Sequence, residues 1–192
     1  MPPDPLPVLS FESTDAWDAW LAAHHADPGG LWLKIAKKGA AARTISYSDA
    51  LDVALCHGWI VGQKARHDDQ YWLQRFTPRK PGSSWSKINT ERAAALIASG
   101  RMRPAGLREV ERAQADGRWE RAYESQSRVT VPEDLARALA ANQRASAFFA
   151  TLDSTNRYAI LYRVGTAKRP ETRAKRIGKF VAMLSEHKKI YP

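Results

Sequence analysis

Runs with strand period are confined to the first part of this chain, and that limits its fold more than any other feature. Up to Thr77 several runs have strand character; beyond it the apolar residues recur only at helical spacing. LWLKIAKK (31–38) sets Leu31, Leu33 and Ile35 against Trp32 and Lys34, which predicts a strand. WIVGQKAR (59–66) and QYWLQRFT (70–77) flank His67-Asp68-Asp69 and predict a hairpin. Two helices are interleaved with these runs. Ser13 or Thr14 caps the first, whose stripe is Trp17, Trp20 and Leu21, and Pro28-Gly29-Gly30 stops it. Ser46 and Asp49 form a capping box for the second, over 47–57, with Tyr47, Ala50, Leu51, Ala54 and Leu55 on one face and Gly58 as its terminator.

After Pro78 and Pro81-Gly82 the chain reads as helix throughout. Ser84 or Ser86 caps about fourteen helical residues carrying Ile88, Leu96 and Ile97, and Gly100 stops them. Pro104 opens the next helix and Gly117 ends it. SQSRVTV (125–131) lacks periodicity and reads as a linker. Four helices are expected beyond it. Pro132 opens one bearing Leu135, Ala138 and Leu139; Phe148, Phe149 and Leu152 close another. Ser154 caps a third, and Pro170 begins a fourth with the stripe Ala174, Ile177, Val181 and Leu184. The expected class is α+β: a small antiparallel sheet packed with helices, followed by a helical C-terminal module. The expected boundaries are an α+β domain over 1–124, the linker, and the module over 132–192.

The 7 Trp and the 44% hydrophobic fraction suffice for a core. The apolar runs are too short to span a bilayer. MPPDPLPVLS lacks the regions of a signal peptide and reads as an extended arm. One cysteine, Cys56, rules out an internal disulfide framework and fits a reducing compartment, so a cytoplasmic location is expected. The net charge is +10, with a sequence pI near 9.9. By segment it is −3 over residues 1–60, +6 over 61–130 and +7 over 131–192. A basic remainder behind a slightly acidic front suits a polyanionic partner: nucleic acid, anionic headgroups or a phosphorylated metabolite.

RFTPRKPGSSWSKIN (75–89) concentrates that charge. No carboxylate occurs from Gln70 to Thr90. A strand end, a proline-kinked loop and a helix start leave free N–H groups and a positive dipole end, which attract anions. Arg75, Arg79, Lys80 and Lys87 surround that point, Ser83, Ser84 and Ser86 add hydroxyls, Asn89 adds an amide, and Phe76 or Trp85 offers a ring to stack a base. The plainer reading makes Ser84 or Ser86 a cap, Trp85 core, Asn89 a loop brace and the cations a solvated face. A second basic cluster, KRPETRAKRIGKF (168–180), puts Arg169, Arg173 and Arg176 on one helical stripe, suited to phosphates or an anionic membrane, or simply a solvated surface. Arg101, Arg103 and Arg108 surround a further helix start.

Catalytic signatures are weak. Cys56 and His57 are adjacent on a helix, point about a hundred degrees apart and cannot face each other. His57 and His24-His25 suit helix C-termini, and Asp68-Asp69 suits a turn. No spacing of His and Cys matches a metal site, and neither dinucleotide nor P-loop glycine signatures occur, so no cofactor is implied.

ALCHGWIVGQ (54–63), RFTPRKPGSSWSKIN (75–89), GRMRPAG (100–106), GRWERAY (117–123) and KRPETRAKRI (168–177) together resemble the YdeI/OmpD-associated family, also labelled bacteriocin-protection proteins. The resemblance runs over nearly the whole chain in the same order. It implies a bacterial, stress-linked, cytoplasmic protein with a separate C-terminal module, and no assigned reaction or cofactor. Relatives usually read Gly-Trp-Ile-Asp-Gly where this chain has Gly58-Trp59-Ile60-Val61-Gly62, and often carry an aromatic at His57. Any role of that carboxylate is lost at Val61.

Three functional readings follow. In the first, a non-enzymatic protein holds nucleic acid, another polyanion or a small anionic ligand in a basic groove at 75–89. In the second, an enzyme or small-molecule receptor has a pocket between the sheet and the helix at 85–99, shaped by Trp59, Trp72, Trp85, Tyr71 and Asn89. In the third, the helical tail is a protein–protein adaptor.

Overall fold

The structure, a computed structural model, describes residues 6–192. The first half of the expected N-terminal arm, residues 1–5, lies outside the described residues. The class is α+β, with four strands and eight helices among the described residues. The chain forms two compact units: one runs through Ser84 and resumes at Asn89–Glu120, and the other comprises Trp85–Ile88 with Arg121–Pro192.

The first unit is a sheet with helices on it. Its elements are β1 (Val8–Leu9), α1 (Thr14–His24), β2 (Leu31–Ala36), α2 (Tyr47–Cys56), β3 (Trp59–Arg66), β4 (Tyr71–Pro78), α3 (Lys87–Ala98, all but its first two residues) and α4 (Pro104–Ala115). The strand order is β1-β2-β4-β3. The hairpin forms where predicted. The sheet is mixed rather than antiparallel, because β1 runs parallel to β2 and Trp32 N donates to Pro7 O at 2.9 Å. A two-residue strand has no period to read, which is why the sequence shows only an arm there.

The caps behave as their residue types dictate. Ser13 Oγ accepts from Ala16 N at 3.2 Å, and Ser46 Oγ accepts from Asp49 N at 3.1 Å. Gly58, at φ 75°, takes the left-handed position that ends α2. Trp17 of α1 is fully buried among Leu21, Leu31, Leu33, Ala50, Ala54, Trp59 and Phe76. Its ring stacks on Trp20 at 5.5 Å and meets Phe76 edge-on at 5.8 Å. Its indole N–H, which cannot be buried unpaired without cost, donates to Ala50 O at 3.1 Å.

Register decides which side chains share the face under these helices. Leu31 pairs with Phe76, Leu33 with Gln74 and Ile35 with Trp72. On the other side of β4, Val61 pairs with Phe76, but Lys64 pairs with Gln74 and Arg66 with Trp72. One extra residue therefore sits in β3 between Val61 and Lys64, a β-bulge. Because side chains alternate with period two, that extra residue turns Lys64 and Arg66, rather than Gln63 and Ala65, onto the face of Trp72. The bulge carbonyls are satisfied by buried Gln74, whose Nε2 donates to Gly62 O at 2.8 Å and Gln63 O at 2.9 Å.

The second unit is helical: α5 (Glu133–Ala140), α6 (Gln143–Ala150), α7 (Ser154–Gly165) and α8 (Pro170–Ser185) enclose Leu135, Leu139, Phe149, Ile160, Val164, Ile177, Phe180 and Leu184. Asp153, not Ser154, caps α7, its carboxylate accepting from Asn156 N at 2.8 Å. The buried stripe of α8 takes Phe180 and leaves Ala174 exposed; both sets keep helical spacing, and the larger apolar ring is the one buried. Residues 125–131 form a turn whose Val129 N donates to Ser125 O at 2.9 Å, and Val129 and Val131 pack on this core.

Trp17→Ala empties the centre of the first unit and removes the donor to Ala50. We expect a loss of about 3–5 kcal/mol in urea unfolding monitored by circular dichroism; a loss below about 1 kcal/mol would contradict the packing described.

Candidate functional site

The run 75–89 is divided between the two units, and several of its side chains are engaged within their own unit. Lys80-Pro81-Gly82-Ser83 is a tight turn, Ser83 N donating to Lys80 O at 2.9 Å, with Gly82 at φ 94°. A positive φ at the third residue behind proline is the type II pattern that glycine permits. Lys80 N donates to Ser83 Oγ at 3.0 Å. Arg79 is only 6% exposed and donates to Ser84 O at 3.3 Å, while its N–H bonds Gly58 O at 3.0 Å. Arg118, 8% exposed, is held by the Asp116 carboxylate at 2.7 Å and donates to Ser83 O at 2.7 Å. Two buried guanidinium groups thus satisfy the carbonyls of a loop that two prolines prevent from pairing as a strand.

The other residues of the run are distributed as follows. Arg75 is half-buried on β4 and donates to Gln63 Oε1 at 3.3 Å. Lys80 and Ser84 are exposed. In the second unit Trp85 is 2% exposed, so its ring is not offered to a base. Ser86 bridges to Tyr123, and Lys87 pairs with Glu124. Asn89, in the first unit, lies half-buried in the first turn of α3.

In the second basic cluster Arg173 makes a two-pronged pair with Asp134, at 2.5 and 2.8 Å, and donates to Val164 O at 3.0 Å. The hydrogen bonds from Arg173 hold the Asp134 carboxyl below its ordinary range. Arg176 donates to Arg163 O. Both arginines thus serve carbonyls in the last turn of α7, the negative end of that helix. Arg169 is exposed at the start of α8.

Clefts among the described residues of the first unit include the following pair. The first, about 440 Å³, is lined by Thr14, Asp15, Asp18, Val53, Cys56, Gly100, Arg101 and Arg103. Asp18 is its centre: His57 Nε2 lies 2.8 Å from Oδ1 and Arg103 donates to Oδ2 at 2.6 Å. Burial alone would raise the Asp18 carboxyl; the bonds from His57 and Arg103 outweigh it and hold the carboxyl below the usual range. His57 is 5% exposed and engages Asp18, and burial pushes the Cys56 thiol up, away from the thiolate. No group of three or more His, Cys, Asp or Glu gathers as a metal site among the described residues.

The second cleft, about 540 Å³, lies at the end of the sheet where β2 leaves it. Ala36, Lys37, Lys38, Lys64, Ala65, Arg66 and Trp72 line it. Lys64 Nζ sits 4.2 Å from the centre of the Trp72 ring, and Tyr47 lies against the same indole at 5.7 Å. The backbone carrying Lys37 and Lys38 is fixed. Lys37 N donates to Gln70 O at 2.8 Å, Ala41 N to Gln70 Oε1 at 3.1 Å and Ala36 N to Thr44 Oγ1 at 2.8 Å. Lys37 Nζ donates to the main-chain carbonyl of Asp68 at 2.7 Å. The Asp68 carboxylate is turned to the N–H groups of Tyr71 and Gln70, each at 2.8 Å, which lower its carboxyl. Among the described residues none of Lys37, Lys38, Lys64 and Arg66 is ion-paired to a carboxylate, whereas Lys87, Arg92, Arg103, Arg118, Arg173 and Lys188 all are. Sequence reasoning named Trp72 but none of these four cations. The signal was present: residues 31–48 contain no Asp or Glu.

Residues 9–109, just over half of the chain, match the model of a family described as a domain of unknown function (DUF8412). Residues 128–187 match the family described as Bacteriocin-protection, YdeI or OmpD-Associated. The resemblance carried by KRPETRAKRI is thereby borne out, but it is narrower than the motifs suggested, since the earlier ones lie outside that match. No curated protein and no solved structure matches. The chain belongs to the DUF8412 family, and its residues 128–187 resemble the bacteriocin-protection, YdeI or OmpD-associated family.

Asp18 supplies the pH test of the smaller cleft. A depressed carboxyl contributes stability that is present above the unfolded value, near 4, and lost as pH falls through the folded value. Asp18→Asn should cost about 1–2 kcal/mol at pH 7 in urea unfolding. The difference from wild type should be constant above about pH 5 and shrink below pH 4. A pH-independent difference would contradict the ion-pair assignment.

Proposed function

We propose that this protein, a bacteriocin-protection-like member of its family, acts by binding an anionic, phosphate-bearing partner at the cleft of Lys37, Lys38, Lys64, Arg66 and Trp72. One observation carries the reading. Four exposed cations line a single concave site, and among the described residues no carboxylate is ion-paired to any of them. Like charges brought together repel, and the first unit gains nothing from their proximity unless an anion is bound. Lysine ammonium groups suit phosphate as mobile point charges, and Arg66 can grip it with two N–H groups. The fixed backbone at 36–41 reduces the ordering that binding requires.

The test is a salt titration of a fluorescent-labelled inorganic polyphosphate by anisotropy. Four displaced counterions predict a log K against log salt slope of about −3. Lys64→Glu with Arg66→Glu should weaken binding at least tenfold, and Lys80→Glu with Lys87→Glu should leave it within about twofold. The reverse pattern would assign the ligand to the 75–89 run, and no binding at low salt would end the proposal.

A further inference from the structure

We infer that the ligand of the basic cleft carries a nucleobase as well as phosphate, the base stacking on Trp72 in place of the Lys64 ammonium. This rests on the anion-binding reading above and deepens it. A site for bare phosphate needs charges alone; this one is built around a half-buried indole, with Ala36 and Ala65 also in the lining of the cleft. Tyr47 packs against the indole, ring centres 5.7 Å apart. Its partner Lys64 occupies a π-face at 4.2 Å, where an exposed ammonium is weakly held and can be displaced. A base entering there takes over the ring face, and Lys64 swings outward to meet the phosphate that accompanies it. Lys37, Lys38 and Arg66 line the same cleft, where they can meet the phosphate. Duplex nucleic acid cannot use such a ring, because its bases are stacked on one another; a single strand or a free nucleotide can. An anionic lipid surface fits less well. Beside the cleft Tyr47 is the single exposed large apolar residue among the described ones, and the others, Val8, Ile97 and Tyr191, do not line it.

The experiment compares four probes by anisotropy or competition on the full chain: labelled oligothymidine, an abasic oligomer of equal length, the duplex of an equal-length sequence, and AMP as competitor. The single strand should bind about five- to a hundredfold more tightly than the abasic chain. Trp72→Leu should abolish that ratio while sparing the abasic chain, and Trp72→Phe should retain it. Lys64→Gln, which disturbs packing less, should weaken the abasic chain and keep or raise the ratio. Competition by AMP supports a free nucleotide as the source, and its failure beside tight oligothymidine binding supports a single strand. Equal binding of single-stranded, abasic and duplex probes overturns the stacking inference and leaves the anion reading standing. Absence of binding by the abasic chain and by polyphosphate overturns both.

Discussion

The side-chain amide of Gln74 holds the one irregularity on which the geometry of the first unit turns. Its N–H groups donate to the carbonyls of Gly62 and Gln63 at the bulge. A buried amide lacking those acceptors would be costly, and so would the carbonyls lacking the amide. The pair is therefore mutually required. Downstream of the bulge, Lys64 and Arg66 share a face with Trp72; without it, Gln63 and Ala65 would take their places and the cleft would lose half its charge. Upstream, the register of β2 on β4 places Leu31, Leu33, Ile35 and Phe76 beneath Trp17 and Leu21. The same strand thus supplies core at one end and a charged, aromatic concavity at the other.

The basic residues divide into two populations with different physics. The arginines at 79, 118, 173 and 176 turn into the protein and donate to main-chain oxygens of Ser84, Ser83, Val164 and Arg163. A planar guanidinium with five N–H groups can close several carbonyls at once, which a lysine cannot. Arginine is thus used here as a brace for loops and helix ends. The cleft is mainly lysine, exposed and unpaired with carboxylates. In the densest runs these arginines are used on structure, while the charges of the cleft come from two separated segments that both flank β4.

Much of the fold was legible. Period and capping chemistry located β2, the hairpin and all eight helices, because alternation, Ser or Asp caps and glycine stops act within a few residues. The misses include β1, too short to have a period, the cap of α7, which is Asp153 and not Ser154, and the inner stripe of α8, where packing favoured Phe180 over Ala174. The cleft was less legible. Counting charge over residues 1–60 hid the carboxylate-free stretch 31–48 behind the acids of α1 and α2. Nothing local in GQK announces a bulge, and the alternation of WIVGQKAR read straight through would turn Ala65 toward Trp72. Trp72 was named as a pocket residue, though for a pocket at the helix of 85–99. Trp85 could not be told from a stacking ring until its burial was known.

The most direct measurement is a ¹H–¹⁵N NMR titration of the protein with inorganic triphosphate, read at backbone and indole N–H groups. The account predicts saturable shifts at Ala36–Lys38, Lys64–Arg66 and the Trp72 indole, with Arg79–Lys87 and Arg173–Arg176 unmoved. Shifts concentrated on Arg79–Lys87, or no saturable shift at the Trp72 indole, would contradict it.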